Sequence, residues 1–511
     1  MKKMIMGLAT VALLFSAGNA ATLKVGLASG AGSMDPYAHN ETATNSILSN
    51  IFDALISFDK DLKTHPALAV SWTNPEPTVW LMKLRKGVKF HNGSDFNADD
   101  VVFSYDRVKN WDKSGFKGKV SMIKEVSKVD DFTVKIVTNV PYPILLRKLT
   151  YIHILDKETL EGKSEQWIGL HAIGTGPYKL VSWSKGDHIK LDANPTYWQG
   201  KGKYDKVLLR PLTNNATRVA AILSNEVDII NRVPVVDVNR VKANDKLDFF
   251  VQPGLRLIYL QMDQDRDKSP YIKSHDGKNP LKDIRVRRAL YYGINEDAII
   301  KYVMKTFAKP ASQLSPEAVF GYDPSIKTRV KYDPKKAKAL LAEAGYPDGF
   351  EIVLDAPNNR YINDSQIAQA IASSLAKIGI TVKVNATPKS TFFAETGKLN
   401  TSFFLIGWAS SDGDASSIFD GVVHTFDKDK GYGRYNRGRF SSPKADKLIE
   451  KSAGIMDPNE RLKVLQEAQR VALVEEQCFI PLHYQVDIYA ASKKVHFEPR
   501  TDSRIWAFDI K

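Results

Sequence analysis

The sequence predicts an α/β protein with more than one core, strand-rich in its first half and alternating helix and strand in its second. Three observations carry this. Helical and strand patterns alternate from residue 333 to residue 406, the arrangement of a sheet covered on both faces. Period-two alternation of apolar and polar residues recurs upstream. The 511 residues also exceed the ~250–300 at which a single core stops growing. Composition agrees: 43% hydrophobic and 25% charged residues, with 31 glycines and 24 prolines, exclude intrinsic disorder and fibrous repeats.

In chain order, the first element is a leader. Met1-Lys2-Lys3 supplies a basic start, residues 4–17 form an apolar run too short to span a bilayer, and Gly18 and Ala20 place small residues at the −3 and −1 positions of a cleavage site. A signal peptide over residues 1–20 is expected. Its removal takes Lys2 and Lys3 and lowers the formal charge from +14 to +12, so the basic balance belongs to the mature chain. No later run reaches the ~18 apolar residues of a transmembrane helix, and no cysteine stands at the cleavage site to carry a lipid. The mature protein is therefore expected to be soluble, periplasmic and not lipid-anchored. Export also removes nucleic acid as an explanation of the charge, leaving an anionic ligand group or general surface electrostatics.

Alternation over residues 22–27, 80–84, 133–137 and 188–191 predicts strands of a mixed α+β half. Gly174-Thr175-Gly176-Pro177 predicts a turn, because Pro177 removes a backbone donor and no G-x-G-x-x-G is completed. The Gly/Pro/Asp-rich stretch 263–279 reads as a surface excursion or the approach to a lobe boundary. Arg285-Val286-Arg287-Arg288 reads as the solvated face of an amphipathic helix. Asp333-Pro334 offers an N-cap and a first-turn proline for a helix over 335–344, which Gly345 and Pro347 stop. A strand over 351–354, a helix over 365–377 closed by Gly379, and strands over 380–384 and 403–406 complete the α/β half.

Catalytic signatures are absent: there is no G-x-x-x-x-G-K-[ST], G-x-S-x-G, H-E-x-x-H or C-x-x-C. Cys478, the single cysteine, lies in an apolar run and reads as a buried structural thiol. The ten histidines form no i, i+4 ligand pair. The most suggestive stretch is 407–417, Gly-Trp-Ala-Ser-Ser-Asp-Gly-Asp-Ala-Ser-Ser, which follows an apolar strand. Strand C-termini in α/β sheets open onto the ligand crevice, where Trp408 could stack and Asp412 or Asp414 accept from a cation. The same residues equally make a turn that caps the next helix. A more distant alternative is a periplasmic hydrolase using Asp412 and Asp414 as an acid/base pair.

A series of motifs runs through nearly the whole mature chain: Leu68-Ala69-Val70-Ser71-Trp72, Leu84-Arg85-Lys86-Gly87-Val88-Lys89-Phe90-His91-Asn92-Gly93, Phe96-Asn97-Ala98-Asp99-Asp100-Val101-Val102-Phe103-Ser104, Gly174 to Tyr178, Asn194-Pro195-Thr196-Tyr197-Trp198, Asp283 to Leu290, Leu341 to Pro347, and Ile480-Pro481-Leu482-His483. In this order they resemble the extracellular solute-binding proteins of family 5, the dipeptide-, oligopeptide- and nickel-binding proteins of ABC importers.

The resemblance implies a two-lobed periplasmic binding protein of type II, cluster C-like, with a mixed α+β first lobe and an α/β second lobe. It implies two strands joining the lobes, with lobe 1 over residues 21–265 completed by 484–511, and lobe 2 over 266–483. It further implies a monomer that is not an enzyme, needs no cofactor, encloses a small solute and presents its closed form to permease subunits, with ATP used elsewhere. His91 becomes a structural element of the signature. For the ligand, most naturally a peptide, the family's amine-anchoring aspartate falls on Ser411, with Asp412 and Asp414 adjacent. Its carboxylate-clamping arginine falls on Asn358, with Arg360 two residues on as a bidentate substitute and Tyr361 beside it as a further ligand-binding candidate. Both departures point toward a subfamily whose ligand differs from ordinary dipeptides. The alternative within the family is nickel or a nickel chelate, for which His39 and His483 are the candidate ligands.

Overall fold

The computed structural model describes residues 21–511; the expected leader, residues 1–20, lies outside the described residues. Two long antiparallel strands, Leu247–Met262 and Ile480–Ser492, pair with each other through the middle of the largest sheet. On one flank the sheet continues through Ile229–Asn231, Thr22–Leu27 and Lys206–Pro211 to the hairpin of His188–Ala193 and Tyr178–Ser184. On the other it continues through Phe403–Ala409 and Glu351–Pro357, with Thr381–Thr387 and the short Ile272–Lys273 also on Glu351–Pro357. Thr22–Leu27 is parallel to both its neighbours, and Glu351–Pro357 is parallel to Thr381–Thr387 and Phe403–Ala409. The first half adds a separate antiparallel sheet of Ala69–Glu76, Val79–Leu84, Thr133–Thr138 and Ile123–Asp130. This is the mixed α+β and α/β pairing expected, set as two lobes about the crossing strands.

Local chemistry explains the elements. Asp333 caps Pro334–Glu343 by accepting from the Lys336 backbone N–H at 2.9 Å. Asp364–Ala376 turns Ile367, Ala368, Ile371 and Leu375 inward at helical spacing. The tight turn at Gly174 and Gly176 follows from proximity: a Cβ on Gly174 would stand 2.2 Å from the Ile51 carbonyl oxygen. Part of the stretch 263–279 is not a surface excursion, since Ile272 and Lys273 form an edge strand against Ile352 and Glu351. Arg287 departs from the solvated face expected of it: it is buried and donates to the carbonyls of Leu281, Lys282, Glu476 and Gln477. His91 lies against the same turn, its Nε2 3.0 Å from the Gly176 carbonyl, and burial pushes its pKa down to about 4. Cys478 is buried, and burial pushes its thiol up.

Buried apolar side chains gather in three clusters. The largest holds Leu23, Val25, Ile136 and Leu209 of the first half, and also takes in Ala415, Phe419, Ile449 and Leu465. The second surrounds Leu290, Ile352, Ile371 and Leu405. A small third one packs Val219, Ile222 and Ile230 on Ile488. The segment after Phe403–Ala409 thus packs toward the first half. Between the crossing strands the ladder is regular from Leu247 to Pro253 and breaks between Pro253 and Leu257. Gly254 sits in that break, where a Cβ would stand 2.6 Å from the Gln485 carbonyl oxygen.

Candidate functional site

The parallel strands Glu351–Pro357 and Phe403–Ala409 end at one edge of the sheet, the position at which α/β sheets open onto a crevice. Phe403–Ala409 also pairs with Leu247–Met262, with Ala409 opposite Arg256, Trp408 opposite Leu257 and Gly407 opposite Ile258. Side chains alternate across a sheet, so Arg256, Gly407 and Ala409 share one face and Trp408 the other.

On the Arg256 face, Tyr361 lies over Gly407 and donates its hydroxyl to the Gly407 carbonyl at 3.3 Å. Only glycine permits this, because a Cβ would stand 2.9 Å from both the Tyr361 ring and Ile258. Asp364 fixes the Tyr361 loop by accepting from the Arg360 and Tyr361 backbone N–H groups at 2.9 and 3.0 Å. The guanidiniums of Arg360 and Arg256 stand 5.4 and 5.9 Å from the Tyr361 ring centre. On the opposite face the half-buried Trp408 ring packs 5.3 Å from Tyr435, and its indole N–H has no acceptor among the described residues.

The loop beyond Trp408 is held from across the molecule. Asp412, 1% exposed, meets Lys148 Nζ at 2.5 Å and Lys119 Nζ at 3.5 Å. Despite burial, the two ammoniums hold its carboxyl far below the usual carboxylate range. Arg147 donates to the Asp412 carbonyl at 3.1 Å and to the Leu62 carbonyl at 3.2 Å. Next to it, Ser411 shares a hydrogen bond with the Tyr151 hydroxyl. Asp414 receives both terminal nitrogens of Arg461, at 2.7 and 2.8 Å, and the backbone and hydroxyl of Ser416 at 3.0 and 2.7 Å.

These contacts correct the roles expected of the two aspartates. Both carboxylates are engaged by cations of the chain itself, so neither is presented to a cationic ligand group. Both are also held ionised, so neither has the proton that an acid/base pair must donate. The histidines are likewise separated. His39 is an exposed loop residue, whereas His483 is fully enclosed with Nδ1 2.7 Å from Glu296. They share no site, and among the described residues no three His, Cys, Asp or Glu side chains gather as a metal would require. Arg360 and Tyr361 lie together on one face at the end of these strands, and Trp408 lies on the opposite face. Arg256, Lys119, Lys148 and Tyr151 join them unforeseen; a charge inside the apolar run Leu255-Arg256-Leu257-Ile258 was the available signal for Arg256.

Known proteins resemble this chain over most of its length. The model of the bacterial extracellular solute-binding proteins, family 5 Middle, matches residues 63–430. The glutathione-binding protein GsiB of Salmonella choleraesuis is 30% identical over 502 residues, covering 96% of this chain and 94% of its own. Among solved structures, the periplasmic binding protein DppA of Helicobacter pylori in complex with the peptide STSA is 26% identical with a TM-score of 0.80, covering 96% of this chain and 97% of that one. NikZ of Campylobacter jejuni in complex with Ni(L-His) is 25% identical with a TM-score of 0.77, over 94% and 95% of the two chains. The chain belongs to the bacterial extracellular solute-binding proteins of family 5, periplasmic solute-binding proteins of ABC importers.

Proposed function

We propose that this protein captures a small solute of the peptide class between its lobes and delivers it to inner-membrane permease subunits. It acts as a monomer after loss of residues 1–20, without a lipid anchor, a cofactor, nucleic acid or turnover of its ligand. Lobe 1 comprises residues 21–265 and 484–511, and lobe 2 comprises 266–483. One observation carries the reading: the loop at 410–414 is gripped by Lys119, Arg147 and Lys148 beside the sheet edge that holds Trp408, Tyr361 and Arg360. Contacts of this kind bring two lobes together over a ligand. The peptide-class solute is supported by the relatives' own ligands, glutathione and a tetrapeptide by name. Titration calorimetry of the mature protein against dipeptides, tripeptides and glutathione is expected to give one-to-one binding with Kd at or below about 10 μM for at least one of them. The bound compound is expected to be recovered intact on denaturation. Binding of some other solute with no response to any peptide would overturn the peptide class, and recovery of a cleaved product would overturn the purely binding role.

A further inference from the structure

The arginines at the sheet edge outnumber their partners. Arg256 and Arg360 flank the same Tyr361 ring, and neither guanidinium makes an ion pair or a hydrogen bond among the described residues. Arg232 adds a third positive charge that is felt at Arg256. Against these three charges stands one carboxylate felt at Arg256 and Arg232, that of Asp487, which is half-buried, accepts from the Ser503 hydroxyl at 2.5 Å and forms no ion pair with any of the three. Burial and the neighbouring Arg360 push Arg256 down to about 10, still charged at neutral pH. Beyond Ala409, the strand partner of Arg256, the carboxylate of Asp412 is neutralised by Lys119 and Lys148. The edge is therefore rich in unspent positive charge and poor in available negative charge. Half-buried cations without counterions are costly to keep unless something supplies the missing charge.

We infer that the ligand is a small organic acid carrying at least two carboxylates, net negative at neutral pH, with Arg256 and Arg360 each taking one of them in bidentate geometry over the Tyr361 ring. A planar fork of donors suits carboxylate geometry, and the aromatic face beneath holds both forks in place. Arg256 is then a ligand-binding and specificity-determining residue, and simple neutral dipeptides are poor ligands. This deepens the solute-capture reading and rests on it, but it does not require the acid to be a peptide.

The test is a calorimetric panel at two salt concentrations: glutathione, Glu-Glu, tricarballylate, Ala-Ala and Lys-Lys, against the wild-type protein, Arg256→Gln and Arg256→Lys. At least one acid is expected to bind at least tenfold more tightly than Ala-Ala, and to weaken as salt rises from 50 to 500 mM. Arg256→Gln is expected to cost it about tenfold or more, with Arg256→Lys intermediate and thermal unfolding of both variants within a few degrees of wild type. If Ala-Ala or Lys-Lys binds as tightly as the acids, the acid class falls while peptide capture stands. If tricarballylate alone binds, the peptide class falls while the acid class stands. Absence of binding by all three acids overturns the inference, as does undiminished acid binding in a folded Arg256→Gln protein.

Discussion

Asp420 follows from the same loop, in the π-helical turn Phe419–Val423, half-buried and without a hydrogen bond or ion pair to its carboxylate among the described residues. Burial pushes its pKa up to about 7, with Asp414 adding to the shift and Lys148, Arg461 and His424 opposing it. An unfolded carboxyl titrates near ~3.9. Between those values the folded state holds a proton that the unfolded state has lost, so stability falls as pH rises through this window and levels off above it. Asp420→Asn removes the dependence. Its urea midpoint is expected to exceed that of the wild type at pH 8, with the advantage shrinking toward pH 5; an equal difference at both pH values would contradict this. Carboxylates in this loop were legible in the sequence, but their roles were not. The partner of Asp414 lies 47 residues away at Arg461, and that of Asp412 lies 264 residues away at Lys148. Spacing along a chain says nothing about pairs that only tertiary packing brings together.

The helices and strands were far more legible, because their causes are local. Asp333-Pro334 marks the start of Pro334–Glu343, and the period-two pattern at 22–27 coincides with Thr22–Leu27. What periodicity could not convey is the pairing of Leu247–Met262 with Ile480–Ser492, since residues buried on both faces, as from Leu257 to Met262 and through most of Ile480–Ser492, show no alternation. Gly407 links element to site. Gly407→Ala drives a methyl to 2.9 Å from the Tyr361 ring and 3.1 Å from the Leu257 carbonyl, and such overpacking costs about 1–3 kcal/mol. The variant is expected to melt several degrees lower and bind ligand about tenfold more weakly, as Tyr361 leaves its seat. Gly397→Ala, with nothing within 4 Å of the new methyl at the end of Lys389–Gly397, is the control expected to melt at or above the wild-type temperature. Equal behaviour of the two variants would separate the site from Gly407.

Across the whole molecule, Lys119, Arg147 and Lys148 grip the 410–414 loop, and under the proposed function this grip is expected to couple closure to affinity. Lys148→Met leaves Asp412 with Lys119 alone at 3.5 Å. Small-angle scattering is expected to show a larger radius of gyration for this variant without ligand, and ligand affinity should fall by about the factor by which the closed population falls. Unchanged scattering and affinity would remove the grip from the closing motion. Asp412 stays ionised far into acid, whereas burial lowers Lys119 to about 8, so the grip is expected to hold at pH 5 to 6 and to weaken as the pH approaches and passes 8. The crossing strands carry a further consequence. Hydrogen-bonded side by side, Leu247–Met262 and Ile480–Ser492 form a ribbon, and a ribbon resists shear in its own plane while it flexes readily out of it. On the lobe division proposed above, such a ribbon would let the lobes swing like two boards on a strap, along essentially one coordinate. A solute of the wrong length would then stop that swing at the wrong angle, and a permease that reads both lobe surfaces at once would sort cargo by the angle reached, without touching the cargo itself.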